Sequence, residues 1–225
     1  MIRAAFTLSA FAVTFFAGAA IVLAQPRAAE RGYTTMVSER LVAAYERRFG
    51  PGTAARLETW KRYAAERKGA PLSEAQLLEE VNRMLNRVRF LDDPVHWREV
   101  DYWATPAESV GSNGADCEDF SIAKYFLLKE LGVPNARLRM TYVKAVRLNQ
   151  AHMVVAYYPR PDAEPLVLDN LEDAVRPASQ RTDLIPVYSF NDEEVWIETR
   201  GRSGSPRQIR NWTLLLERLE REART

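Results

Sequence analysis

Apolar positions recur near helical spacing through the first part of the chain. Met36, Val37, Leu41, Val42, Tyr45 and Phe49 predict a helix over 35–49, stopped by Gly50-Pro51-Gly52. A second helix is expected over 53–68. Ser73 and Gln76 make a capping-box pair ahead of Leu77, Leu78, Val81, Leu85 and Val88, so a third helix is expected over about 74–90. The period then vanishes. From Asp92 to Ala115 the chain is rich in Trp, Pro, Gly, Ser and Asn and reads as a structured loop. Beyond it Phe120, Ile122, Ala123, Phe126, Leu127 and Leu131 resume the helical pattern until Gly132-Val133-Pro134. This puts Cys117 at a helix N-terminus.

After that helix the period changes to two. Leu138, Met140, Tyr142 and Val146 alternate with polar positions, Asn149-Gln150 turns the chain, and Met153 to Tyr158 returns as an apolar strand with His152 at its start. Leu166 to Asp169 is a further short strand before a turn at Asn170. Strands are expected near 187–190 and 195–198, Arg200 to Arg207 is the most loop-like late stretch, and Ile209, Trp212, Leu215, Leu216 and Leu219 close the pattern as an amphipathic helix. No internal repeat or low-complexity tract interrupts it. An α+β class follows, with helices ahead of an antiparallel sheet in one continuous domain over 25–225 whose helical part covers 34–90.

The 225 residues are 47% hydrophobic and 27% charged, with formal net charge +1, so no basic field invites nucleic acid. Residues 1–24 stand apart. Arg3 precedes an uncharged run from Ala4 to Ala24 that ends in small residues before Gln25. That pattern predicts a signal peptide, with an uncleaved anchor as the alternative. Cleavage after Ala24 leaves acidic and basic side chains equal in number, and the mature chain is expected outside the cytoplasmic membrane. The single cysteine excludes an intramolecular disulfide and multi-cysteine metal sites, and the two histidines leave little for a histidine-rich metal centre.

Chemistry therefore concentrates in Cys117, His152 and Asp169. Unsatisfied N–H groups and the positive dipole end at a helix start favour thiolate over thiol. An imidazole can take the thiol proton and pass it to a leaving amine, while a carboxylate behind it fixes the ring. Each residue alone has a plainer reading: Cys117 as buried filler, His152 as a structural histidine, Asp169 as the start of a turn. His96, in the Trp-rich loop, is the lesser candidate base. Asp116, Glu118 and Asp119 oppose a thiolate beside them. Their hard oxygens suit Ca2+, with help from the preceding loop around Asn113, or they simply cap the helix and complement its dipole. Trp97, Tyr102, Trp103 and Trp196 suit either core packing or a groove.

The segments Asp116-Cys117-Glu118-Asp119-Phe120-Ser121-Ile122-Ala123-Lys124-Tyr125, Ala151-His152-Met153-Val154, Leu168-Asp169-Asn170, Pro177 to Arg181 and Pro186 to Asn191 resemble the bacterial transglutaminase-like cysteine peptidase family of LapG type. The likeness runs from about Asp101 to Trp196. It implies a papain-like, transglutaminase-like core with Cys117 as nucleophile, His152 as base and Asp169 as orienting acid. It also implies calcium dependence through Asp116, Glu118 and Asp119. In function it implies a periplasmic endopeptidase that clips the N-terminal region of a large surface adhesin to disperse biofilm, sequestered by an inner-membrane cyclic di-GMP receptor. Ala115 departs from the glycine common there and would restrict the loop if it needed positive φ. The Cys117 N–H is the expected oxyanion donor, with Trp103 a candidate for the second. Two alternatives remain: a non-enzymatic calcium-binding adaptor of the same fold, and a protein amidase or transglutaminase sharing the acyl-enzyme.

Overall fold

Serine or threonine caps at residues 38, 73 and 105 start three of the helices in the computed structural model, which describes residues 32–197 and 201–225. The proposed signal segment lies outside them. The first predicted helix divides into α1 (Tyr33–Met36) and α2 (Glu39–Phe49), because Val37 turns extended and the Ser38 side chain accepts the Leu41 N–H to start a new helix. Next come α3 (Thr53–Arg67) and α4 (Glu74–Leu85), the latter with its Ser73/Gln76 capping box intact. The third helix ends short of the expected residue 90. Arg89–Phe90 (β1) instead pairs in parallel with Gly114–Ala115 (β2), which ties the exit of α4 to the segment just before Cys117.

The expected loop of 92–115 holds two short helices, α5 (Asp93–His96) and α6 (Pro106–Ser112). Thr105 and Glu108 form a capping box on α6 with proline in its first turn, a signal as readable as the one on α4. Ala115 lies in β2 without positive φ, so alanine is unstrained there. Gly114 is constrained instead: a Cβ on it would meet the His96 ring at 2.6 Å.

Helix α7 (Cys117–Glu130) is the hub. Every residue from Asp119 to Leu128 is buried, since the N-terminal helices pack on one side of it and the sheet on the other. The strands are β3 (Leu138–Ala145), β4 (Gln150–Tyr157), β5 (Leu166–Leu168), β6 (Arg176–Pro177), β7 (Leu184–Phe190), β8 (Val195–Ile197) and β9 (Gly201–Gly204). They form an antiparallel sheet of order β6-β5-β4-β3-β7-β8-β9. The 200–207 stretch expected to be a loop contains β9, which pairs with β8 through its backbone and offers no apolar alternation to read. The final helix α8 (Arg210–Glu222) buries Trp212, stacked on Phe126 of α7 and set edge-on against Phe190 of β7. One hydrophobic cluster runs from Tyr33 to Leu219 through helices and sheet alike. Among the described residues no helix is long and apolar enough to cross a membrane.

Candidate active site

The hairpin register decides which side chains meet. His152 pairs with Val143, and Val155 pairs with Leu168, so the chain leaving β5 places Asp169 beside the start of β4. His152 Nε2 lies 2.8 Å from Asp169 Oδ1, with both residues buried. Asp169 Oδ1 also accepts the Leu171 N–H at 3.0 Å, and Oδ2 accepts from Arg181 Nη2 at 2.7 Å. Burial works against ionisation of Asp169, yet the hydrogen bonds from His152, Leu171 and Arg181 bring its carboxyl down to about 2. Asp169 is thus a fixed carboxylate. It assigns the proton of neutral His152 to Nε2 and leaves Nδ1 as the basic nitrogen.

Cys117 opens α7 on the wall of a groove of about 750 Å³ that His152 also lines. Trp103, Tyr142, Tyr188 and Asn211 line the same groove. The Cys117 sulfur is within hydrogen-bonding reach of the Met153 amide, next to His152 in sequence, and its thiol donates to Glu118 Oε2 at 2.9 Å. Burial, the Glu118 carboxylate and Asp116 all push the thiol up.

The acids expected around Cys117 divide between two clusters, each completed by acids of the preceding loop. Asp93, Asp116 and Asp119 present oxygens within 4.8 Å of one another, as do Asp93, Asp101 and Glu118. Burial first, then mutual repulsion, raises Asp116 to about 10 and Asp93 to about 6, and holds Asp119 well above the ordinary carboxylate range. Asp119 Oδ1 accepts the Ala104 N–H at 2.6 Å and Asp93 Oδ2 accepts the Tyr102 N–H. Asp119 Oδ2, Asp93 Oδ1 and Asp116 Oδ1 are buried with no hydrogen-bond partner. Simple capping does not account for this, since the Asp116 side chain makes no cap hydrogen bond. Orphaned, clustered hard oxygens fit a Ca2+ ion.

Asp93 and Asp101 were not among the expected ligands. Their role depends on the loop folding back over α7, which residue spacing does not reveal. Asn113 ends α6 with φ 57°. His96 Nε2 lies 2.8 Å from Ser112 Oγ, His96 packs on Trp97, and it is not a groove residue. Of the aromatic candidates Trp103 lines the groove, stacked on Phe190, whereas Trp196 sits over the Arg139 guanidinium and Trp97 packs on Phe49 and Tyr102.

Known proteins share this arrangement of sequence and fold. The model of the family "Bacterial transglutaminase-like cysteine proteinase BTLCP" matches residues 59–203. The structure of Legionella pneumophila LapG is similar at 38% identity over 82% of this chain and 98% of that one, with a TM-score of 0.70. An EGTA-treated form of that protein, with the same identity and coverages, gives a TM-score of 0.71. Its calcium-bound form, also 38% identical, gives 0.69 and is covered completely, against 82% of this chain. Among curated proteins nothing matches. With a matched family model spanning more than half its length and an α+β fold shared with LapG, the chain belongs to the bacterial transglutaminase-like cysteine proteinases.

Proposed function

We propose that this chain is a calcium-dependent periplasmic cysteine endopeptidase with Cys117 as nucleophile, His152 as general base and Asp169 as the group that orients it. The observation that carries the reading is the buried 2.8 Å bond between His152 and Asp169 in the groove where Cys117 begins its helix. Nδ1 of His152 takes the thiol proton as sulfur attacks the scissile carbonyl carbon. The resulting oxyanion is received by the Cys117 N–H at the start of α7. Collapse breaks the C–N bond, and the imidazolium returns its proton to the leaving amine. Water, deprotonated by the same imidazole, then cleaves the thioester and restores the thiol.

Asp93, Asp116 and Asp119, with Asp101 and Glu118 beside them, would hold the calcium ion. When bound it supplies fixed positive charge that neutralises carboxylates otherwise hostile to a thiolate. The substrate is taken to be the N-terminal region of a large surface adhesin, and the partner an inner-membrane cyclic di-GMP receptor that sequesters the enzyme and so controls biofilm dispersal. Support for this finer reading is the sequence resemblance and the kinship with LapG, which has both calcium-bound and EGTA-treated forms.

The test is incubation of the mature protein with an adhesin N-terminal fragment, in calcium or in chelator, beside Cys117→Ala. Cleavage confined to the unsubstituted protein in calcium is expected. Cleavage that survives Cys117→Ala would reject the peptidase reading. Amine incorporation without chain scission would favour a transglutaminase.

A further inference from the structure

We infer that Arg181 is a positioning residue for this reaction, acting through Asp169 on the tautomer and orientation of His152; the inference rests on the proposed triad. Asp169 has a side chain with no solvent exposure, and its two oxygens are used differently. Oδ1 serves His152 and the Leu171 amide, whereas Arg181 Nη2 at 2.7 Å is the partner of Oδ2. A carboxylate held through Oδ1 alone can rotate about its Cβ–Cγ bond, and its plane dictates where the imidazole sits.

The guanidinium is itself held. Asp183 receives Arg181 Nε at 3.1 Å and Nη2 at 2.9 Å, so a planar fork faces one carboxylate while the shared nitrogen reaches the other. The chain of contacts runs Asp183, Arg181, Asp169, His152. Arg181 is only 6% exposed and lies outside the groove that holds Cys117, so its route to the site is through Asp169. The backbone adds a second anchor, since Asn86 Nδ2, at the C-terminal cap of α4, donates to the Asp169 carbonyl at 2.9 Å. Of the other charged groups near Asp169, Lys124 of α7 is fully buried and held down to about 7 by that burial, against the pull of Asp169 and Asp173. Arg181 is therefore the cation whose hydrogen bond fixes the carboxylate plane.

Two histidines make the inference directly readable. Imidazole 15N spectra of the full chain in calcium chloride, in a Cys117→Ala background, should show His152 as a single Nε2–H tautomer, with His96 as internal reference. Arg181→Gln should lose that single-tautomer signature. In the chain that retains Cys117, the same substitution should slow iodoacetamide alkylation of the thiol on the order of tenfold. Arg181→Lys keeps the charge but not the fork, and should recover alkylation to within about threefold.

Arg181→Gln with an unchanged tautomer and an unchanged alkylation rate overturns the inference, provided that His152→Ala is slowed. If His152→Ala alkylates at the original rate, the proposed triad itself fails. Should Arg181→Gln not fold, Asp183→Asn carries the test: a roughly threefold slowing supports the inference, and no change overturns it.

Discussion

Two groups of carboxylates belong to the one candidate site and are treated in opposite ways. At Asp169 every oxygen has a donor, and the group is drawn down to about 2 despite its burial. At Asp93, Asp116 and Asp119 one oxygen of each is left without a partner, and burial with mutual repulsion forces the acids upward. The chain provides Arg181 for the first group, whereas among the described residues no basic side chain pairs with Asp93, Asp116 or Asp119. A negative charge that must persist through a reaction cycle is thus met by a built-in cation. A cluster left unpaired is suited to a cation that arrives from outside, and so to control by its concentration.

Opposite responses to the same chemical change would sharpen this contrast. Asp169→Asn should lower cleavage of the adhesin fragment on the order of a thousandfold, because the amide no longer enforces the tautomer. It should also cost about 3 kcal/mol in urea unfolding by stranding Arg181. Asp119→Asn should leave the chelated protein as stable or more stable, since it removes repulsion while its side-chain oxygen can still accept from Ala104.

Calcium at about a hundredfold excess over its Kd should stabilise the unsubstituted chain by about 2.7 kcal/mol, read as a rise in Tm, and Asp119→Asn should lose that rise. A rise retained in Asp119→Asn would break the comparison. Acid should act on the other side. The folded value of Asp169 lies below the ordinary 3.8, so its contribution is complete above about 4 and disappears as pH falls through about 2. Acid unfolding should therefore reveal a component of about 2 kcal/mol that Asp169→Asn lacks. The smallest effect is expected at Asn211, whose Nδ2 donates to Asp101 at 2.7 Å on the exposed rim of the cluster. Asn211→Ala should weaken calcium binding by only about threefold in titration calorimetry and change stability by less than about 0.5 kcal/mol.

What the residue pattern made legible follows from the range of the forces involved. Helix α4 was readable because its capping box and apolar stripe are local, α3 and α7 because glycines bound them, and the hairpin because Asn149 with φ 51° turns the chain where expected. Val88 extended the helical pattern past Leu85, but pairing of Arg89–Phe90 with Gly114–Ala115 takes over there, a long-range preference absent from any local window. Ser38 signals its cap as plainly as Ser73 does, yet the apolar run across Met36 and Val37 masks the break. Cys117, His152 and Asp169 could be proposed from residue type and order. Asp93 and Asp101 could not, since they become neighbours of Asp116 and Glu118 only when the loop closes over the helix. Arg181 was visible in a matching segment, but its purpose emerges only from the oxygen it occupies.

Helix α8 reaches back over a long sequence interval to the segment that carries Asp101. Glu222 accepts from Thr105 across 117 residues, and from Tyr33 and Tyr45, while Arg218 donates to the Trp103 carbonyl and lies over the Tyr102 ring. Synthesis halted before residue 210 would therefore yield a chain bearing every proposed reactive group but missing the clasp on its acidic loop. The same helix carries Trp212 against Phe126 and Phe190, so fastening the acidic loop and completing the core are one event, left to the last segment of the chain to be made.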